Sequence, residues 1–351
     1  MKTIFLTELL TLESGESPKP EIKKPGDLRI KMKSVGVCGS DVHYFEWGRI
    51  GRMIVEFPYV LGHECSGVVE AVGANVTKFK PGDRVVIDPA IFCGECSQCK
   101  AGRFHTCYDL EFLGTPASQT SKGRDGCLSE YIVMPEASIY HLPDRLSYED
   151  GALMEPLTIG YYSVKMGEMK QGMSVAVLGS GPIGSSVLTC VQLWKPGTVF
   201  TTDLIPARVE VARKMGADFC YNSDEEDSVN KILDIEKEGV DLAFECAGEQ
   251  ETIDQAIQLL KPGGTLVLIG IPEAARISGD IDQLRRKEIR IQNIRRQNQC
   301  TQATIDAIDK NNINLDPFKT HRFAPEEAQQ AFELVRHYRD GVVKAFINWD
   351  E

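Results

Sequence analysis

The sequence predicts an α/β protein of two domains, one mostly β and one a doubly wound parallel sheet. Three observations predict it. The chain has 351 residues, too many for one ordinary domain and comfortable for two. Before Gly151, short Val-rich stretches are interrupted by many Gly and Pro. From Gly151 onward, strand-like and helix-like segments alternate, the pattern of a parallel sheet covered by helices on both faces.

In the first part, Asp27 to Val37 alternates partly, with Leu28, Ile30 and Met32 set against Arg29, Lys31 and Lys33. Gly67 to Val72 and Arg84 to Ile87 read as further short strands. In the second part, Val175 to Leu178 is a buried type of strand. Pro182 to Trp194 has helical length, with Pro in the first turn, where its missing N–H costs nothing. Strands are expected at 198–204, 219–222, 240–246, 265–269 and 289–294. Helices are expected at 206–215, 227–237, 251–260 and 281–287, and Pro262-Gly263-Gly264 reads as a turn. Two more helices, 303–310 and 325–337, and a last strand, 342–349, form a tail too small for a core of its own.

Hydrophobic residues are 42% and charged residues 26%, proportions that exclude a wholly disordered chain. A net charge of −12 makes nucleic acid a poor partner. Eleven cysteines, an odd count, argue for reduced thiols and metal ligands over a disulfide framework. Met1 to Leu12 has no signal-peptide pattern, and the longest apolar stretch, Val175 to Trp194, is too interrupted by Gly and Pro for a membrane span. The expected compartment is cytoplasmic.

Gly179-Ser180-Gly181-Pro182-Ile183-Gly184 is G-x-G-x-x-G placed directly between a strand and a helix. In this context Gly179 permits the tight turn, Gly181 lets backbone approach a pyrophosphate, and Gly184 lets the helix pack on the strand. The helix N-terminus offers free N–H groups to phosphates. Asp203 lies 19 positions after Gly184 at a strand end, where its carboxylate can accept from a ribose diol and repel a 2′-phosphate. NAD is thereby favoured over NADP. Arg208 can stack on adenine, touch the ribose, or answer a 2′-phosphate.

Cys93, Cys96, Cys99 and Cys107 place four thiols within 15 residues, with Gly94 and Gly102 supplying bends. Four thiolates at this spacing can close a tetrahedral Zn²⁺ site with no open position, which suits a structural metal. A disulfide pair and an iron–sulfur cluster are the rarer alternatives.

Gly62-His63-Glu64-x2-Gly67-x5-Gly73 resembles the zinc signature of the medium-chain, zinc-dependent alcohol dehydrogenase superfamily. Gly36-Val-Cys-Gly-Ser-Asp41, Lys80-Pro-Gly-Asp-Arg-Val85, the four-Cys segment and the glycine fingerprint follow the superfamily's order over essentially the whole chain. Cys38 to Tyr44, Gly48 to Gly51 and Gly151 to Leu157 resemble its polyol branch, the sorbitol and xylitol dehydrogenases.

The resemblance implies a GroES-like catalytic domain over 1–154, completed by 297–351, and a Rossmann NAD-binding domain over 155–296. It implies a catalytic zinc on Cys38, His63 and Glu64 or Glu155, donor types that suit this metal. Glu155 stands among Leu153, Met154, Pro156 and Leu157, an odd setting for a solvated carboxylate. Zinc acts as a Lewis acid, so an alcohol is deprotonated near neutral pH and hydride passes from its carbon to the nicotinamide. Ser40 and His43 can relay the proton.

By the same resemblance, Tyr44, Phe112, Glu155 and Arg296 line the polyol site, and Ile271, Ile294 and Arg296 join the fingerprint, Asp203 and Arg208 around the cofactor. Vertebrate sorbitol enzymes tend to have aromatics beside the Arg, where this chain has Arg295 and Gln297. The expected reaction is oxidation of a secondary hydroxyl of a sugar alcohol (sorbitol, xylitol or L-iditol type) to a ketose. Another zinc dehydrogenase of the superfamily, acting on threonine, butanediol or a simple alcohol, is the alternative. Relatives are often homotetramers, so a homo-oligomer is expected.

Overall fold

The structure, a computed structural model, describes residues 1–118, 121–272, 274 and 276–349. It divides into two units, Met1–Glu155 with Thr301–Leu315 and Lys319–Glu351, and Pro156–Cys300 with Asp316–Phe318.

The first unit is built on a seven-stranded sheet. At its centre Asp27–Gly36 pairs antiparallel with Glu64–Val72 on one side and with Tyr131–Pro135 and Lys344–Asn348 on the other. Leu28, Ile30 and Met32, the apolar half of the alternation, are fully buried. They share a core with Ile4, Leu6, Phe45, Phe332 and Ile347. Gly67 has a packing reason to be glycine, because a Cβ there would sit 2.2 Å from the Lys31 carbonyl oxygen. The tail belongs to this unit: Lys344–Asn348 enters the sheet beside Asp27–Gly36, and Lys319–Phe323 pairs parallel with it.

The second unit is a six-stranded, all-parallel sheet. Counted along the chain, its strands lie in the order 3-2-1-4-5-6. Val175–Leu178 is the first of them and is buried throughout, consistent with helices on both faces. The strand order reverses between Val175–Leu178 and Val240–Glu245, which makes that the switch point of the sheet. The second unit's core contains Phe200, Ile232, Ala243, Ile257, Leu259 and Leu266.

Several elements differ from expectation. Pro262-Gly263-Gly264 lies inside the strand Leu260–Leu268, not in a turn before it. The register against Val240–Glu245 shifts there, and Gly263 has φ +76, so the segment is a local irregularity absorbed by pairing on both sides. Tyr148–Met166 is a 19-residue helix that runs through Gly151, Pro156 and Gly160. Its N-terminus carries a signal of its own: Ser147 Oγ accepts from the Asp150 N–H at 3.1 Å, and Asp150 accepts from the Ser147 N–H at 2.8 Å. The segment 325–337 is a short 3-10 turn, Pro325–Glu327, followed by the helix Ala328–Arg336. The hairpin of Lys2–Glu8 with Thr11–Glu16 and the strand Lys319–Phe323 had no sequence expectation. Among the described residues no helix is long and apolar enough to cross a membrane.

Gly67→Ala is expected to lower unfolding stability by about 1–3 kcal/mol, because the intruding methyl meets backbone that cannot move aside. The denaturant midpoint of the purified variant measures this.

Candidate functional site

The strand Asp27–Gly36 delivers the chain to Cys38, which caps the helix Gly39–Trp47. The neighbouring strand Glu64–Val72 begins directly after His63. This pairing brings Cys38, His63 and Glu64 together, with ligand atoms all within 4.8 Å of one another. A thiol, an imidazole and a carboxylate in one such group fit a catalytic zinc. His63 and Glu64 are buried, and Cys38 is half-buried.

Two charged residues that sequence reasoning did not single out hold this group. Asp41, fully buried on the helix, has Oδ1 3.3 Å from His63 Nδ1 and accepts from the Gly62 N–H at 3.1 Å. It orients the His63 ring by its Nδ1 side. Burial pulls the His63 pKa down, but Asp41 and Cys38 outweigh it and hold the ring well above the ordinary imidazole range.

Lys344 is 0% exposed. Its Nζ donates to Glu64 Oε1 at 2.8 Å and Oε2 at 2.5 Å, and to the Val37 carbonyl at 3.2 Å. Nothing in the local sequence marks Lys344, because its partner lies 280 residues away. Asp41 could have been noticed only through its place in Cys38-Gly-Ser-Asp41.

Glu155 is not one of the three grouped donors. It sits half-buried on the helix Tyr148–Met166. Burial pushes its pKa up to about 7, with Glu64 adding to the rise and His63 and Lys344 opposing it. Ser40 Oγ donates to Cys38 Sγ at 3.3 Å. His43, on the same helix, packs its ring 4.7 Å from that of Trp47. Tyr44 is buried with its OH 3.9 Å from Met53 Sδ, and the Phe112 ring lies 5.4 Å from that of His63.

The second cluster comprises Cys93, Cys96, Cys99 and Cys107. Its sulfurs are 3.5 Å apart for Cys93 and Cys107, and 3.9 Å apart for both Cys93–Cys99 and Cys96–Cys107. A Zn–S bond of about 2.3 Å in a tetrahedron requires about 3.8 Å between sulfurs. A disulfide would require about 2.05 Å. The spacing therefore fits a four-thiolate metal site and no disulfide. Phe92, Phe104 and Leu110 pack around it. The backbone N–H of Cys99 lowers the Cys96 thiol to about 6, whereas burial raises Cys99 to about 12.

In the second unit the glycine fingerprint is as close-packed as its spacing demands. Gly179 has φ +89, and a Cβ on Gly184 would lie 1.8 Å from the Gly179 carbonyl oxygen. Gly181 caps the helix Pro182–Gln192, with Pro182 and Ile183 in its first turn. The Arg208 guanidinium, largely buried, lies 3.4 Å from where a Gly181 Cβ would be. Asp203 ends the strand Val199–Asp203 and accepts from the Ser180 N–H at 2.7 Å and the Ile205 N–H at 2.9 Å. It binds the glycine loop to the strand end, and its carboxylate oxygens keep further lone pairs for a diol. Ile271 is exposed beyond the strand Leu260–Leu268. Ile294 is held by its N–H to the Leu268 carbonyl at 2.9 Å, and Arg296 follows with φ +54.

A doubly wound sheet bearing this fingerprint, in one chain with two metal-donor clusters, has the architecture of a metal-dependent dehydrogenase. Comparison with known proteins agrees. Residues 24–144 match the alcohol dehydrogenase GroES-like domain, and residues 182–310 match the zinc-binding dehydrogenase domain. The chain is 35% identical to a sorbitol dehydrogenase of Bacillus subtilis, over 99% of this chain and 97% of that one. It is also 35% identical to a D-xylulose reductase of Saccharomyces cerevisiae, over 95% and 93%. Among solved structures, an Escherichia coli oxidoreductase/dehydrogenase of unknown specificity superposes with a TM-score of 0.93 at 31% identity, covering 100% of this chain and 99% of that one. The 2R,3R-butanediol dehydrogenase of Bacillus subtilis superposes with a TM-score of 0.88 at 28% identity, covering 99% of both chains. The chain belongs to the zinc-dependent medium-chain alcohol dehydrogenase superfamily, in its polyol dehydrogenase branch.

Lys344→Met leaves a buried carboxylate without its cation and is expected to cost about 3–5 kcal/mol. Adding Glu64→Gln removes the orphaned charge and is expected to recover most of the loss in urea unfolding of both variants. At the four-Cys site, metal binding must displace protons from thiols such as Cys99. Zinc affinity there is expected to fall as pH is lowered from 8 to 6, read by competition with a chromophoric chelator.

Proposed function

We propose that this chain is a zinc- and NAD-dependent polyol dehydrogenase that oxidises a secondary hydroxyl of a sugar alcohol of the sorbitol, xylitol or L-iditol type to a ketose. The observation that carries the reading is the buried group of Cys38, His63 and Glu64. Cys38, His63 and Glu64 would hold the catalytic metal, and Cys93, Cys96, Cys99 and Cys107 a structural one. When bound, the catalytic zinc supplies Lewis acidity, and NAD supplies the hydride acceptor.

The chain's own residues do the rest. Asp41 orients the His63 ring, and Lys344 keeps Glu64 in one place. Ser40, whose hydroxyl lies beside Cys38, would take the hydroxyl proton, and His43 on the same helix would pass it outward. Tyr44, Phe112 and Glu155 are assigned to the substrate: Tyr44 and Glu155 would meet its hydroxyls, and Phe112 covers His63. Gly179, Gly181, Pro182, Ile183 and Gly184 present the helix N-terminus to the pyrophosphate. Asp203 and Arg208 flank the ribose, and Ile271, Ile294 and Arg296 complete the cofactor site. A carboxylate at Asp203 selects NAD against NADP.

The second reading, oxidation of a smaller diol, is favoured by the likeness to the butanediol dehydrogenase fold. Initial rates of the zinc-loaded enzyme on hexitols, pentitols, tetritols and 2,3-butanediol, with NAD and NADP side by side, separate the two. NADH formation with at least one sugar alcohol, and weaker turnover with NADP, is expected. Turnover of butanediol with none of the sugar alcohols would overturn the polyol assignment. Cys38→Ser is expected to lose more than about a hundredfold in kcat, since substitution of mere outer-shell partners already costs up to that much.

A further inference from the structure

We propose that Glu245 is a positioning residue for the dinucleotide, holding the two loops that border the switch point of the parallel sheet. The proposal rests on the dinucleotide reading of the second unit. Glu245 ends the strand Val240–Glu245, on the opposite side of the switch point from the glycine loop that follows Val175–Leu178. Dinucleotides bind in the crevice outside the carboxyl ends of such strands.

Glu245 is 1% exposed. Oε1 accepts from the Ala247 N–H at 2.8 Å, the Gly248 N–H at 2.7 Å and the Thr252 hydroxyl at 2.9 Å. Its main-chain carbonyl accepts from the Ile269 N–H at 2.9 Å and the Gly270 N–H at 3.1 Å. One residue therefore ties down both the loop after its own strand and the loop after Leu260–Leu268.

Both loops reach the cofactor residues. A Cβ on Gly179, the first glycine of the fingerprint, would lie 3.1 Å from the Ala247 nitrogen. Gly248, at φ +82, abuts the Ile271 carbonyl so closely that a Cβ would lie 2.7 Å from it. A Cβ on Gly270 would lie 2.2 Å from the Gly248 nitrogen and 2.8 Å from Glu245 Oε2. A buried carboxylate is expensive to desolvate, so its use here needs a return beyond packing. It fixes the Ala247 and Gly248 N–H groups at the turn after the strand. The glycine loop and Ile271 are thereby set in one arrangement before the dinucleotide arrives.

The test is titration of the zinc-loaded, full-length protein with NADH, followed by cofactor fluorescence, alongside kcat and zinc content. Glu245→Ala is expected to raise the NADH Kd about tenfold, the usual scale for losing buried hydrogen bonds. Zinc content, and kcat at saturating NAD, should change little. Glu245→Gln keeps an acceptor oxygen and should bind close to wild type. Thr252→Val, which removes one donor and keeps the shape, should give a smaller rise in Kd; it decides the matter if Glu245→Ala does not yield folded protein. Wild-type NADH affinity in folded Glu245→Ala, or in Thr252→Val when that variant stands alone, would overturn the inference. A wild-type chain that binds no dinucleotide would instead overturn the reading beneath it.

Discussion

The buried ion pair between Glu64 and Lys344 is the contact on which the catalytic unit turns. Both side chains are essentially inaccessible, at 1% and 0% exposure, and both carboxylate oxygens are used. Desolvating two charges costs several kcal/mol per ion, so the pair is a weak source of net stability. Its effect is specificity. Lys344 also donates to the Val37 carbonyl, one residue before Cys38. A single ammonium thus ties the end of one strand, the start of a second and the C-terminal strand at the point where Cys38, His63 and Glu64 meet. The long return of the tail to the first unit has its chemical reason here.

Charge around that point is arranged by pairing. Asp41 answers His63, and Lys344 answers Glu64. Glu155 feels both of these cations as well as Glu64, and burial raises its carboxyl to about 7. The acidic balance of the whole sequence says nothing of this, because one buried lysine governs the local field.

The second unit fixes its glycine loop by different means. Its devices are backbone ones: a glycine turn, a helix N-terminus, and two carboxylates, Asp203 and Glu245, that accept from main-chain N–H groups. Glycines at contacts such as Gly184 against Gly179 remove side chains where two backbones meet.

What was legible in the sequence followed from short range. The alternating strands and helices of the second unit, the glycine fingerprint and the four cysteines each depend on neighbours within one or two turns of chain, so spacing alone exposed them. The helix Tyr148–Met166 was hidden by Gly151, Pro156 and Gly160, although Ser147 and Asp150 marked its start. Pro262 to Gly264 interrupts the pairing inside the strand's span, since register partners stop at Leu260 and resume at Thr265. By itself the sequence determined the alternation of strand and helix in the second unit and the donor types of both clusters. Only the tertiary structure decided which carboxylate joins Cys38 and His63, that Asp41 and Lys344 hold them, and that Glu245 spans two loops. Those contacts link residues up to 280 positions apart, and charge pairing in a desolvated interior leaves no periodic trace along the chain.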